Sequence, residues 1–134
     1  TFGPTGEENY TKQMNTKAKR LAIRQALSLA STSDKITVIE AIVTKDGKTA
    51  ELAKLLGKIN ATRKVLIVVD EKSPELMRAA QNLQEVKVVS SRYVNVYDVL
   101  NADSIVFSQD ALKATTNWLS QEVKPTTKAA KGSA

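Results

Sequence analysis

Residues 64–69 read KVLIVV, and the five apolar side chains from Val65 to Val69 follow one another without a polar break. A strand with one wet face alternates apolar and polar residues, so an unbroken run marks a central strand covered on both faces. That requirement constrains the rest of the chain. Covering both faces takes helices on each side, and strands alternating with helices supply them as a parallel sheet.

The remaining segments meet that demand. KITVIE (35–40) is a short β-branched run, VKVV (86–89) a third strand and SIVFS (104–108) a fourth. Helical stretches lie before, between and after them. NTKAKRLAIRQALSLAS (15–31) has Asn15 or Thr16 to cap it and STSD to end it. KTAELAKLLGKI (48–59) spaces Leu52, Leu55, Leu56 and Ile59 at i, i+3, i+4 and i+7. SPELMRAAQNL (73–83) opens with Ser73 as cap and Pro74 at the first helical position. NVYDVLN (95–101) is a short helix and QDALKATTNWLSQEV (109–123) the last one. The fold class is therefore α/β, a single domain with a mostly parallel sheet and helices on both faces. Gly3, Pro4 and Gly6 make residues 1–11 an extended arm; residues 12–121 form the globular domain; residues 122–134, small, polar and basic, form a disordered tail. Such a fold hosts many functions, so function has to come from a site.

Composition removes several classes of site. The chain has no Cys and no His. It therefore lacks disulfides, a thiol nucleophile, a thiolate metal site, the usual zinc ligand and the usual general base near neutral pH, and no cofactor is expected. No apolar run approaches a membrane span and no signal peptide is visible. Thr1 in first place reads as a processed chain or a piece of a longer one.

The net charge of +6 is unevenly spread. Residues 11–33 carry Lys12, Lys17, Lys19, Arg20 and Arg24 and no acid, the tail adds Lys124, Lys128 and Lys131 against Glu122, and the middle is close to neutral. Positive charge at both ends of a balanced middle points to an anionic partner, RNA first and an acidic membrane second. The membrane reading is the weaker, because no strongly amphipathic, aromatic-bearing helix accompanies the charge.

Gly47-Lys48-Thr49 invites a nucleotide reading, with Asp70 at the end of VLIVVD as the magnesium-holding carboxylate. The motif G-x-x-x-x-G-K-[ST] would need a glycine at Ile42, and no glycine lies between Ile42 and Gly47 to form the amide nest that holds phosphates. The strand before it ends near Glu40, which leaves too long a connection. A turn before a helix explains Asp46-Gly47. A degenerate P-loop in a doubly wound nucleotide-binding enzyme thus stands as the alternative reading. No G-x-G-x-x-G is present, and Asp98 and Asp103, the carboxylates that could be argued for catalysis, each have a helix or turn explanation.

The basic helix is the better lead. Lys17, Arg20 and Arg24 fall within about 60° of one another on a helical wheel. Ala18, Ala22, Ile23, Ala26, Leu27 and Leu29 take most of the opposite side, expected to face the core. Lys19 falls inside that arc, near the helix start, where its stem can pack and its ammonium escape. Tyr10 and Lys12 stand just upstream, an aromatic ring able to stack on an exposed base beside a cation.

The segments FGP and KQMNTKAKRLAIRQALS, followed in order by KTAELAKLL, KVLIVVDE, AAQNLQEVKVV and NVYDVLNADSIVFSQDAL, resemble the bacterial family of the fourth large-subunit ribosomal protein across about residues 1–121. The resemblance implies a non-enzymatic structural protein of the cytoplasmic ribosome. Such a protein binds large-subunit rRNA early in assembly, and its α/β domain carries an extended loop reaching toward the peptide exit tunnel. Its partners would be large-subunit rRNA and neighbouring large-subunit ribosomal proteins, with no membrane and no small-molecule substrate. Phe2, Gly3 and Pro4 align where that loop returns to the domain, and Lys12, Lys17, Lys19, Arg20 and Arg24 align with the rRNA-facing start of the helix after it. Lys48-Thr49 aligns with a helix-opening pair that can touch a phosphate. Asn82 and Leu83 align with an Arg-Asn-Leu turn in which this chain has Gln81 for the arginine, and Tyr97-Asp98 with a structural pair. The resemblance also implies that the family's N-terminal strand and Gly- and Arg-rich loop would precede Thr1, leaving a gap in the sheet and exposed apolar edges. The expected rRNA-binding residues are Tyr10, Lys12, Lys17, Lys19, Arg20, Arg24, Lys48 and Asn82.

Overall fold

Val65–Val69 forms strand β2, and all five of its residues are buried. The computed structural model describes residues 2, 3, 6, 7, 9–44, 46–61 and 63–120. In it β2 sits inside a four-stranded sheet with β1 (Ile36–Ile39), β3 (Val86–Ser90) and β4 (Ser104–Ser108), in the order β1-β4-β2-β3. All three pairings are parallel, with Val65 opposite Val86, Leu66 opposite Ile105, and Ile36 opposite Ile105. The sheet of described residues is thus wholly parallel.

The pleat divides β2 between two cores. Val65, Ile67 and Val69 join Val88 and Val106 on one face, where α2 (Thr49–Lys58) and α3 (Pro74–Gln81) add Leu52, Leu56, Leu76 and Ala79. Leu66 and Val68 join Ile105 and Phe107 on the other. There α1 (Thr16–Thr32), α4 (Val96–Asn101) and α5 (Gln109–Ser120) add Ile23, Ala26, Val99, Ala111 and Leu119. Each large apolar side chain so buried stabilises the fold by about 1.5–3 kcal/mol before entropy is counted. Helices cover both faces of the sheet, as the apolar run requires.

The helix ends follow local chemistry. Ser73 Oγ accepts from the Leu76 N–H at 3.2 Å, ahead of Pro74 at the first helical position. Asn95 Oδ1 caps α4 by accepting from the Asp98 N–H at 2.7 Å. Asn15 occupies the cap position of α1, but its side chain makes no cap bond. That helix ends on Asp34 in the left-handed region (φ 52°), which lets the Lys35 N–H reach the Ala30 carbonyl at 3.0 Å.

Two points differ from the sequence reading. Leu29, expected on the core side of α1, is 58% exposed. The buried stripe is centred on Ile23, Ala26 and Ala30, about 100° round the helix from Leu29 and on the flank that carries Arg20. A 3-10 turn at Ser91–Tyr93, which no sequence signal announced, follows β3 and packs on α5. Residues 121–123, expected to continue α5, lie outside the described residues, as does the expected tail. The described residues before α1 contain no helix or strand.

Candidate nucleic-acid interface

The basic row at the start of α1 divides in two. Lys12, Lys17 and Lys19 are exposed, and none has an acidic partner among the described residues. Tyr10, two residues before Lys12, is 80% exposed. The first turn of α1 holds no acid, so these cations stand at the positive end of a helix dipole. That arrangement costs a few tenths of a kcal/mol, roughly, which a bound polyanion would offset.

Arg20 and Arg24 turn the other way, toward α5. The Arg20 guanidinium carbon lies over the Trp118 ring, 5.6 Å from its centroid. Arg24 Nη2 donates to the Leu119 carbonyl, one of the final carbonyls that a helix cannot satisfy by itself. Both arginines therefore tie α1 to α5 across the sheet face they share. A carbonyl oxygen holds the Arg24 guanidinium without cancelling its charge.

Lys48 and Asn82 lie apart from this row. Lys48 occupies the cap position of α2 and is exposed, with Nζ 2.9 Å from Asp46 Oδ2. Asn82 is the exposed C-cap residue of α3. Both belong to helices of the opposite sheet face, so the fold does not gather them with the α1 lysines into one patch.

The nucleotide alternative finds no support. Nine residues separate Ile39 from Thr49, Lys48 is held by Asp46, and Gly47 makes a turn at φ 66° against the Glu75 carbonyl of α3. Strand β4 stands between β1, which leads into this loop, and β2, which is followed by Asp70. Asp70 is engaged within the sheet instead. Its Oδ1 accepts from Ser91 Oγ at 2.8 Å and its carbonyl accepts from Ser90 Oγ at 3.0 Å, which clips the end of β2 to the end of β3.

Two features near the basic row have no signal in the sequence. Trp118 meets Arg20 only through the fold, and Arg92 reaches the same helix from the 3-10 turn. Partners such as Arg24 and Leu119 stand 95 positions apart, so no local pattern could join them. The Tyr97-Asp98 pair splits: Tyr97 is 73% exposed, whereas Asp98 is buried beside Lys87.

Comparison with known proteins bears on this geometry. Residues 1–118 match the model of the ribosomal protein L4/L1 family. The large ribosomal subunit protein uL4 of Desulfitobacterium hafniense strain Y51 is 36% identical over 118 residues, which is 88% of this chain and 56% of that protein. The proteins of the same name from Magnetococcus marinus and Spiroplasma kunkelii are 33% and 30% identical over 113 and 114 residues, each 84% of this chain. Those alignments cover 54% and 55% of the two proteins, so the chain spans about half the length of the curated relatives it matches.

Proposed function

Because this chain belongs to the ribosomal protein L4/L1 family, we propose that it is a structural constituent of the large ribosomal subunit and binds large-subunit rRNA, with no catalytic role. Its place is the cytoplasmic ribosome, where it supports subunit assembly near the peptide exit tunnel beside neighbouring large-subunit proteins. Among the described residues no helix is long and apolar enough to cross a membrane.

One observation carries the RNA reading. Three exposed lysines, Lys12, Lys17 and Lys19, stand at the positive end of α1 with no acid between them. Lysines so placed neutralise phosphates and release counterions, so affinity falls as salt rises. Arg20 and Arg24 add charge from within the α1–α5 seam, and Tyr10 offers a stacking face to an unpaired base. Lys48 and Asn82 are separate, weaker contacts on the far face, each able to meet a phosphate or sugar of an RNA that wraps the domain.

The test is a filter-binding titration of the chain against large-subunit rRNA and against a nonspecific RNA, at several salt concentrations. Selective binding with a steep negative salt slope is the expected result. Equal weak binding to both RNAs would count against a specific rRNA site in this chain.

A further inference from the structure

Trp118 is the chain's single tryptophan, and it is only half-buried. It helps to line a cleft of about 410 Å³ with, among the described residues, Arg92, Ala114 and Asn117. That volume lies in the range of small-molecule sites, roughly 300–1,000 Å³. Arg92 comes from the 3-10 turn at Ser91–Tyr93, and the other three from one face of α5. Arg20 steadies the indole from α1.

The chemistry of these walls is specific. Arg92 is exposed and has no acidic partner among the described residues. Asn117 is exposed, and its amide carries both a donor and an acceptor. An indole offers a surface for stacking and a guanidinium offers a plane and a fork for phosphate. Stacking surface, base-edge reader and phosphate cation are the three parts by which proteins take an unpaired nucleotide out of an RNA strand. Lys113 stands on the neighbouring stripe of α5, and Asp110, one turn before Ala114, sets the acidic limit of the patch.

We propose that the cleft between the 3-10 turn and α5 holds one unpaired nucleotide of a bound RNA. The base lies against Trp118, the Asn117 amide meets the base edge, and Arg92 meets the adjacent phosphate. The proposal rests on the RNA-binding reading above and adds a site to it. Arg20 is a positioning residue here, since it acts through the indole.

The single tryptophan makes the test direct, because a base stacked on it quenches its fluorescence. The probes are a short oligoadenylate and a duplex RNA of the same length, each titrated into the 134-residue chain. A duplex hides its base faces and retains its phosphates. Quenching by oligoadenylate and not by duplex is expected, and Arg92→Ala and Asn117→Ala should each weaken the oligoadenylate titration on the order of tenfold. Both side chains are exposed, so circular dichroism should show both variants folded. Equal quenching by duplex, or folded variants with unchanged titrations, would overturn the proposal. Filter binding of rRNA on the same samples separates the two readings. If rRNA binds while the tryptophan stays silent, the cleft falls and the rRNA reading stands; if no RNA binds at all, both fall.

Discussion

Lys87 Nζ lies 2.6 Å from Asp98 Oδ1 and joins the edge strand β3 to α4. The two ends of this pair differ sharply: the aspartate side chain is 4% exposed and the lysine 62%. Asn95 Nδ2 gives the same carboxylate a second donor at 2.9 Å. Removing the lysine would therefore leave a buried charge with one neutral partner. Lys87→Met should destabilise the domain by about 1–2 kcal/mol, a buried-pair loss reduced because the lysine is largely in water. Adding Asp98→Asn should recover part of that loss, since the stranded charge is then gone. Urea midpoints for the two variants measure this, and a neutral Lys87→Met would show that the pair adds nothing.

The division of the basic row predicts that its members fail differently. Arg20→Ala with Arg24→Ala removes a cation–π contact and a charged hydrogen bond to the end of α5. That double variant should lose about 2 kcal/mol of stability as well as RNA affinity. Lys12→Ala, Lys17→Ala and Lys19→Ala together remove no ion pair among the described residues and should leave the urea midpoint in place. The triple variant should instead flatten the salt dependence of rRNA binding by about 0.7–0.9 in slope for each phosphate it no longer neutralises. An unchanged slope in a folded triple variant would remove the α1 lysines from the interface.

Gly47 marks where the loop before α2 meets α3. Its φ is 66°, and a Cβ there would stand 3.2 Å from the Glu75 carbonyl. Gly47→Ala should thus cost about 1–2 kcal/mol through strain and that close approach. Lys48→Ala removes only a surface pair with Asp46, whose side chains are 68% and 57% exposed. It should leave thermal stability unchanged with or without ATP and magnesium. ATP-dependent stabilisation that Lys48→Ala abolishes would restore the nucleotide reading.

The sheet was legible because its signals are local. Five consecutive apolar residues from Val65 to Val69 specify a strand with two covers, and the Ser73-Pro74 start specifies the helix that follows. The pairing of β1 with β4 was not legible, because strand order depends on how crossovers pack. The direction of α1 was half legible. Its apolar residues spread over a wide arc, and the wheel alone could not tell that Ala30 joins the core with Arg20 on its flank while Leu29 faces out. The deciding partner was Trp118, which the chain brings to Arg20 only after α5 has formed. A guanidinium that reads as a solvated charge in sequence can become a cross-helix tie in this way.

Thr115 offers the last test of how α5 sits on the sheet. It is 3% exposed, and its Oγ1 is buried with no hydrogen-bond partner. It lines an apolar groove of about 660 Å³ between α1 and α5, floored by Ile36 and Phe107. The adjacent Thr116 differs: it is exposed, and its Oγ1 donates to the Leu112 carbonyl at 2.8 Å. A buried hydroxyl without a partner carries a desolvation penalty of about 1–3 kcal/mol. Valine has nearly the same shape and a similar helix propensity. Thr115→Val should therefore stabilise the domain by about 1 kcal/mol, whereas Thr116→Val, which trades a solvated hydrogen bond for exposed methyl surface, should change little or destabilise slightly. Chemical denaturation of the two variants separates these cases. A lower midpoint for Thr115→Val would show that the hydroxyl is hydrogen-bonded in solution and that the groove beneath α5 is polar at that point.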